Sequence, residues 1–304
     1  MNIGISVTSA HRLEDVRLGS RYMVERARMA QQSGLDSLFV GDHHVTAQPY
    51  YQNSPMLGRM LAEWGAMPAG ALYLLPLWNP VVLAEQVATL SCIAEGRFIM
   101  QCGVGGDDEQ FLGMGVPTGR RPSMFEQSLF TLRALWRGET VDLDGRWKLR
   151  DARISPLPPE PVEVWIAASA DVAIDRAARL GDGWLGDPGM DFDTAQRRVQ
   201  HYLEACAAAG TKPGAVAIRR DVYVGESAEA AHRAMEPYLE RGHRGIEPAA
   251  LLIGSVEQVA ERIGQLGSMG YSDVIVRNIS TDQQQALATI ERLGEVRGLL
   301  GGSP

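Results

Sequence analysis

The sequence feature that most restricts the fold is a strand–helix–strand pattern in the first third of the chain. The first strand is the apolar run Ala69–Leu75. Asn79 and Pro80 open the helix, because asparagine is a favoured N-cap and proline fits the first helical turn. The second strand, Arg97–Cys102, leads into a glycine-rich segment. Strands joined by a helical crossover are parallel, and α/β proteins build their sites at the carboxyl ends of such strands.

The same alternation continues along the chain and gives eight strands, each followed by a helical segment. The predicted strands are Met1–Val7, Asp36–Val40, Ala69–Leu75, Arg97–Cys102, Val162–Ala167, Gly183–Gly186, Val216–Val224 and Asp273–Val276. Eight such units in 304 residues predict an α/β fold, a single (β/α)8 TIM barrel that occupies residues 1–304 as one domain. A doubly wound sheet would normally have fewer strands or a second domain.

A β-hairpin insertion is expected before the fifth strand of the barrel. The segment Thr140–Leu149 contains Asp144-Gly145 near its middle. Asp-Gly is a favoured pair for a two-residue hairpin turn. The sequence therefore predicts a hairpin that turns at these two residues.

Charge and composition exclude several classes of partner. The formal net charge is −8 without any basic block, so neither nucleic acid nor an anionic membrane surface is an expected partner. No apolar run is long enough to span a membrane. The three cysteines lack metal-like spacing, and the first strand begins too early to leave room for a signal peptide. These features predict a cytoplasmic protein with reduced thiols.

Asp42-His43-His44 follows the second predicted strand and is the first candidate for chemistry. Histidine titrates near neutral pH, and an adjacent carboxylate can hold its tautomer and raise its pKa. The segment is therefore either an acid–base group or a strand-end histidine hydrogen-bonded to the next loop. A metal site is a third interpretation, since both residue types are metal ligands. The other strand ends offer few ligands, so no metal is expected.

Two further strand ends and three arginines are candidates for ligand binding. Gly103-Val104-Gly105-Gly106 lacks the third glycine of a dinucleotide fingerprint, and it either lets a flat ring or a phosphate approach the backbone or is a plain turn. Ser169 either caps the helix that follows it or helps that helix bind a phosphate. Arg219, Arg220 and Arg277 are possible sources of positive charge. Because neighbouring strand residues point to opposite sides, at most one of Arg219 and Arg220 faces the barrel interior.

Several segments of the chain resemble the bacterial luciferase-like monooxygenase family. They comprise Leu75-Pro76-Leu77-Trp78-Asn79-Pro80, Glu95-Gly96-Arg97-Phe98, Gly103-Val104-Gly105-Gly106, Trp165-Ile166-Ala167-Ala168-Ser169 and Leu180-Gly181-Asp182-Gly183-Trp184. The resemblance implies a TIM barrel that binds reduced FMN or its deazaflavin analogue, coenzyme F420, across the carboxyl-terminal mouth. It implies an oxidoreductase that acts on a small organic substrate, by hydride transfer with F420 or by oxygen insertion with FMN.

The resemblance also implies roles for individual residues. His43 and Asp42 would be the catalytic residues, and the ring would pack against a non-prolyl cis peptide bond between Ala71 and Leu72. The residues implied in cofactor binding are Ala71, Leu72, Gly103, Gly105, Gly106 and Ser169. This chain departs from its relatives at Ala167-Ala168, where they commonly carry Gly-Gly or Gly-Ser. Together with the apolar helix Ser54–Gly65, the resemblance suggests a homodimer through this helix and the helix that Asn79 opens, with a separate flavin reductase if FMN is used.

The choice of cofactor and two other functions remain open from the sequence. The glycine-rich segment, followed by Glu109-Gln110-Phe111 and Gly115-Val116-Pro117, is closer to the deazaflavin branch of the family and favours F420. One alternative is a non-catalytic flavin-binding barrel. The other is a metal-dependent hydrolase that uses Asp42, His43 and His44.

Overall fold

The computed structural model describes residues 1–106 and 108–301. The predicted domain also includes Asp107 and residues 302–304, which lie outside the described residues. The strands, in chain order, are β1 (Asn2–Val7), β2 (Ser37–Val40), β3 (Ala69–Leu74), β4 (Phe98–Gly103), β5 (Val141–Asp144), β6 (Lys148–Ala152), β7 (Glu163–Ala167), β8 (Gly183–Gly186), β9 (Ala215–Val224), β10 (Leu252–Gly254) and β11 (Asp273–Asn278).

Eight of the described strands close into a parallel barrel, which confirms the predicted TIM barrel. Strands β1, β2, β3, β4, β7, β8, β9 and β11 pair in that order, and β11 pairs back with β1. The short strand β10 pairs with the carboxyl end of β9 outside the ring. All carboxyl ends of the barrel strands therefore meet at one rim.

Helices surround the barrel and bury its outer face. They are α1 (Val16–Gln32), α2 (Asn53–Leu61), α3 (Pro80–Ile93), α4 (Asp108–Gly113), α5 (Arg121–Trp136), α6 (Asp171–Leu180), α7 (Phe192–Ala209), α8 (Ala228–Glu240), α9 (Val256–Met269) and α10 (Gln283–Leu299). Asn79 caps α3 as predicted, since its side chain accepts hydrogen bonds from the backbone N–H groups of Val81 and Val82. None of the described helices has both the length and the hydropathy needed to cross a bilayer.

A small cluster of side chains fills the interior of the barrel and identifies which strand residues point inward. Its buried members are Phe39, Ile99, Trp165, Leu185, Ala217 and Ile275. Because strand residues alternate between the two sides, the residues two positions further along β4, β9 and β11 also point inward. These residues are Gln101, Arg219 and Arg277, and they lie toward the rim.

The predicted hairpin is present between α5 and β7, but its turn differs from the prediction. Strands β5 and β6 are antiparallel, and Asp144 pairs with Lys148. The turn therefore contains residues 145–147 rather than Asp144-Gly145 alone. The longer turn lets Arg146 donate a hydrogen bond to the carbonyl of Pro76 and place its guanidinium over the ring of Trp147. This contact joins the tip of the hairpin to the end of β3.

The implied cis peptide bond between Ala71 and Leu72 is wrong. Within the described residues the one cis bond is Ser155–Pro156. Strand β3 continues without interruption through both residues, with Ala71 opposite Met100 and Leu72 opposite Gln101 of β4. The trans bond is favoured by about 3 kcal/mol outside proline, and this regular pairing accommodates it.

Candidate active site

A cavity of about 440 Å³ opens at the rim between the ends of β3, β4, β7 and β8, and we call it the first rim cavity. It brings together most of the residues implied in cofactor binding, which extend from Leu72 to Ser169 in the sequence. Its lining residues are Leu72, Leu74, Gly103, Val104, Gly105, Gly106, Ala167, Ala168, Ser169, Ala170, Ala173, Leu185, Gly186, Asp187, Pro188 and Arg219. Ala71 does not line it, because its side chain is buried in the core between barrel and helices.

The glycines after β4 leave one wall of the first rim cavity open. A Cβ atom added at Gly106 would meet no atom within 4 Å, and one added at Gly103 would make only ordinary contacts. Gly105 has a φ angle of +78°, a conformation that favours glycine, and an added Cβ atom would lie 3.0 Å from the ring of Phe111. This wall has space for a flat group against the backbone.

Ser169 does not cap α6, so the capping interpretation of this residue is wrong. The N-cap position belongs to Ala170, which has no side-chain hydrogen bond to offer. Ser169 is exposed at the edge of the first rim cavity, and its hydroxyl has no hydrogen-bond partner among the described residues. Asp171, in the first turn of α6, pairs with Arg198 of α7. The N-terminus of α6 is therefore uncapped at the cavity edge.

Gln101 is a polar residue that the sequence interpretation missed. It lies on the interior face of β4, two residues before Gly103, and it is 4% exposed. Its Nε2 atom has no hydrogen-bond partner in the structure. A buried donor without a partner is costly, although Gln101 is not among the residues that line the first rim cavity. The available signal was one amide side chain within an otherwise apolar strand.

Asp42 joins the ends of β2 and β3, and the histidine that it contacts is His44. Its Oδ2 atom accepts hydrogen bonds from the Leu74 backbone N–H at 2.8 Å and from Trp78 Nε1 at 2.9 Å. Its Oδ1 atom lies 3.0 Å from His44 Nε2 and accepts a hydrogen bond from Asn53 at 3.3 Å. The expected partnership between this carboxylate and His43 is not found.

His43 lies against Tyr50 instead. The two ring centroids are 5.5 Å apart, and the rings are tilted by 58°. The carbonyl of His43 accepts a hydrogen bond from Gln52, but its ring nitrogens have no hydrogen-bond partner in the described part of the chain. They therefore remain available to a ligand.

Tyr50 connects this histidine to the charged side of the rim. Burial raises the pKa of its phenol, while the Ser9 hydroxyl and the charges of Arg277 and Arg219 oppose this shift. Tyr50 was not a sequence-predicted site residue, since a tyrosine in a loop of about a dozen residues gives no specific signal. Its ring contacts His43, and its hydroxyl interacts with the charges of both arginines.

Arg219 and Arg220 point to opposite sides of β9, as strand alternation predicts. Arg219 lines the first rim cavity, and its Nε atom has no hydrogen-bond partner. Arg220 points away from the interior, is fully buried, and donates a hydrogen bond to the carbonyl of Pro188. Burial lowers the pKa of Arg220 to about 10. Only Arg219 of this pair faces the barrel interior, which confirms the prediction.

The metal-dependent alternative requires a cluster of ligands. Within residues 1–106 and 108–301, no three His, Cys, Asp or Glu side chains come together in a way that could hold a metal ion. Asp42 and His44 lie close together, but His43 points to the opposite side, toward Tyr50. The donor set of such a site is not found in the described residues.

This chain matches a protein-family model and several curated proteins. A family model described as luciferase-like monooxygenase matches residues 1–250. An F420-dependent glucose-6-phosphate dehydrogenase of Beutenbergia cavernae is 36% identical over 173 residues, which cover 53% of this chain and 51% of that protein. A protein of the same name from Mycolicibacterium fortuitum is 31% identical over 202 residues, or 62% of this chain and 60% of that protein. The chain thus spans between 51% and 60% of the length of these two relatives.

Solved structures share the fold over the whole chain. The monooxygenase RslO1 from Streptomyces bottropensis has a TM-score of 0.86 and 18% identity, and the match covers 99% of this chain and 100% of that one. An F420-dependent secondary alcohol dehydrogenase, solved with an F420–acetone adduct, has a TM-score of 0.82 and 18% identity, with 98% of each chain covered. Since the family model matches residues 1–250 of 304, the chain belongs to the luciferase-like monooxygenase family.

Proposed function

We propose that this chain, as the single domain predicted from its sequence, is an oxidoreductase that uses reduced F420, or FMN as the alternative, on a small organic substrate. The observation that carries the proposal is the first rim cavity, with its open glycine wall and the uncapped N-terminus of α6 at its edge. Its position at the carboxyl ends of the strands is the usual place for active sites in TIM barrels. Curated relatives named F420-dependent dehydrogenases favour F420 over FMN.

The residues around the cavity fit a cofactor that has a flat ring and a phosphate. Leu72 and Leu74 offer apolar surface to one face of the ring, and Gly103–Gly106 leave space on the neighbouring wall. Ser169 and the backbone N–H groups at the start of α6 suit the phosphate, because a helix N-terminus attracts anions.

We propose that His43 is the proton donor or acceptor for the substrate. When bound, the reduced cofactor supplies a hydride in the case of F420 or reactivity toward oxygen in the case of FMN. His43 has ring nitrogens free of other hydrogen bonds and is held by the ring of Tyr50. Asp42 contributes by holding the ends of β2 and β3 together and by placing His44 beside Trp78.

Cofactor titration tests the proposal directly. We expect F420 to bind with saturation when its fluorescence is followed on addition of the protein, and FMN to bind more weakly. Anaerobic hydride transfer with F420 supports the dehydrogenase chemistry, whereas oxygen consumption with reduced FMN supports the monooxygenase chemistry. Failure to bind either cofactor would overturn the proposal. Tight binding of oxidised cofactor without any turnover, in the wild type and in His43→Ala alike, would support the non-catalytic flavin-binding alternative.

We further propose a cytoplasmic homodimer, with a flavin reductase as a partner only if FMN is the cofactor. All three cysteines are free thiols, as expected in a reducing compartment.

Most of the apolar surface of α2 is buried in the core of its own chain, including Leu57, Met60 and Leu61. The proposed contact runs through α2 and α3, and Val82 and Ile93 of α3 are exposed apolar residues that support it. A sedimentation mass equal to one chain would contradict the dimer.

A further inference from the structure

A second cavity of about 390 Å³ opens on the opposite side of the rim, and we call it the second rim cavity. It shares no lining residue with the first rim cavity. The segment after β1, the end of α8 with the residues after it, and the end of β11 form its walls. Its lining residues are Thr8, Ala10, Arg12, Tyr238, Arg241, Gly242, His243, Arg244, Arg277, Asn278, Ile279, Ser280 and Thr281.

The walls of the second rim cavity carry an excess of positive charge. Four of its lining residues are arginines and one is a histidine, and no lining residue is acidic. The acid closest to this group is Asp221 of β9, which is fully buried behind the wall. Its Oδ2 atom accepts hydrogen bonds of 2.8 Å from both His243 and Arg244. One carboxylate therefore anchors two cationic or protonatable groups and leaves net positive charge at the surface of the cavity.

Asp221 stays ionised in this position. Burial alone would raise the pKa of its carboxyl, but the hydrogen bond from His243 and the charge of Arg244 hold that pKa well below its usual range. The backbone around these partners is also constrained, since Arg244 has a φ angle of +54° between Gly242 and Gly245, whose φ angles are both +69°. The segment thus holds Arg244 in a conformation that a non-glycine residue rarely adopts.

Arg277 interacts with the charge of Asp221, but the hydrogen bonds of that carboxylate come from His243 and Arg244. The guanidinium of Arg277 makes no hydrogen bond or ion pair with any residue that the structure describes, although it is half-buried on the interior face of β11. Burial, together with the charges of Arg219 and Arg244, lowers its pKa to about 9. A half-buried cation without a hydrogen-bond partner destabilises the folded chain, and a bound anion would remove that penalty.

We infer that the second rim cavity binds an oxoanion group of the substrate, a phosphate or a carboxylate, through Arg244 and Arg277. Planar guanidinium groups match the oxygen atoms of such anions better than a point charge does. The charge of Arg277 acts on the Tyr50 hydroxyl, and the Tyr50 ring contacts His43. A substrate anchored in this cavity would extend past Tyr50 to His43. The inference therefore rests on the proposed function, because it takes the bound anion to be part of the substrate.

Calorimetric titration with inorganic phosphate, and with malonate as a carboxylate probe, tests the inference on the full chain. We expect saturable binding of at least one probe to the wild type, and Arg277→Gln should weaken it at least tenfold. Arg244→Gln should weaken it similarly, and it carries the test if the first variant does not fold. The matched control is Arg153→Gln, because Arg153 is exposed and its ion pair within the described residues is with the neighbouring Asp151, and it should bind as the wild type does. No saturable binding of either probe, or equal binding by all variants, would overturn the inference.

A competition experiment separates the substrate from the anionic tail of the cofactor as the source of the oxoanion. We expect saturating phosphate to leave the F420 affinity within twofold, and Arg277→Gln to bind F420 as the wild type does. Displacement of F420 by phosphate would assign the second rim cavity to the cofactor and overturn the inference. If F420 and FMN both fail to bind while phosphate binds, the proposed function fails and the anion site remains.

Discussion

The Nε2 atom of His44 lies 3.0 Å from the Oδ1 atom of Asp42, so the carboxylate contacts the second of the two histidines that follow it. The ring of His44 also packs edge-on against Trp78, with centroids 5.4 Å apart. His43 points to the other side and meets Tyr50. Two adjacent histidines therefore occupy different environments, and they are expected to respond differently to substitution.

Substitution of His43 should affect turnover much more than substitution of His44. His43→Gln removes the ring that we propose to transfer the proton, and general acid–base catalysis typically contributes a factor of about 10² to 10⁴. His44→Gln should lower turnover less than about tenfold, because that ring faces Asp42 and Trp78. Turnover is followed as the change in F420 absorbance, and cofactor affinity should stay within twofold in both variants. A larger loss in His44→Gln than in His43→Gln would contradict this assignment.

Asp42 should be important for stability whether or not it affects chemistry. Asp42→Ala leaves the Leu74 N–H and the Trp78 indole N–H without an acceptor, and we expect a loss of about 3 kcal/mol in the free energy of unfolding. Asp42→Asn keeps one acceptor and should lose about 1 kcal/mol. Urea unfolding measures both values. The exposed pair of Asp144 with Arg150 provides the control, and Asp144→Ala should change stability by less than about 0.5 kcal/mol.

His11 should make the folded chain less stable as the pH falls. Burial, followed by the charge of Arg26, lowers its pKa from 6.5 to about 4. Between these two values the unfolded chain binds a proton that the folded chain does not, so stability decreases as the pH falls from 6.5 toward 4. At pH 5 this effect amounts to about 2 kcal/mol relative to pH 7.

The His11→Gln variant isolates this effect. Glutamine can still donate a hydrogen bond to the carbonyl of Thr8, which His11 contacts at 2.9 Å, but it does not titrate. Urea unfolding at pH 7 and pH 5 should therefore show a smaller loss for the variant than for the wild type. Equal losses would show that this histidine is not responsible.

Gly106 gives a test of the first rim cavity with little risk to the fold. A Cβ atom at this position meets nothing within 4 Å and the φ angle is not positive, so Gly106→Val should leave the thermal midpoint almost unchanged. Its side chain would occupy space proposed for the cofactor and should weaken F420 binding at least tenfold, or by about 1.4 kcal/mol. Gly298 of α10 has equally open surroundings, and Gly298→Val should bind F420 normally. Equal affinity in the two variants would place the cofactor elsewhere.

The sequence by itself determined the architecture of this protein. Apolar runs of strand length alternate with capped helical segments, and Asn79 caps α3 as its position predicts. These signals are local, since capping and alternation depend on residues a few positions apart. The same alternation also predicted that Arg219 and Arg220 face opposite sides. Family resemblance then indicated the rim residues, of which Leu72, Gly103–Gly106 and Ser169 do line one cavity.

Only the tertiary structure decided which side chains meet across the rim. Asp42 contacts His44 rather than His43. Two N–H donors that are distant in sequence, from Leu74 and Trp78, fix the orientation of its carboxylate. Asp221 accepts a hydrogen bond from His243, whereas Arg277 makes no hydrogen bond or ion pair with the described residues, although these residues come from separate strands and loops. Closing the barrel brings strand ends together at distances that the sequence does not encode locally, and packing at that rim determines which charges are paired.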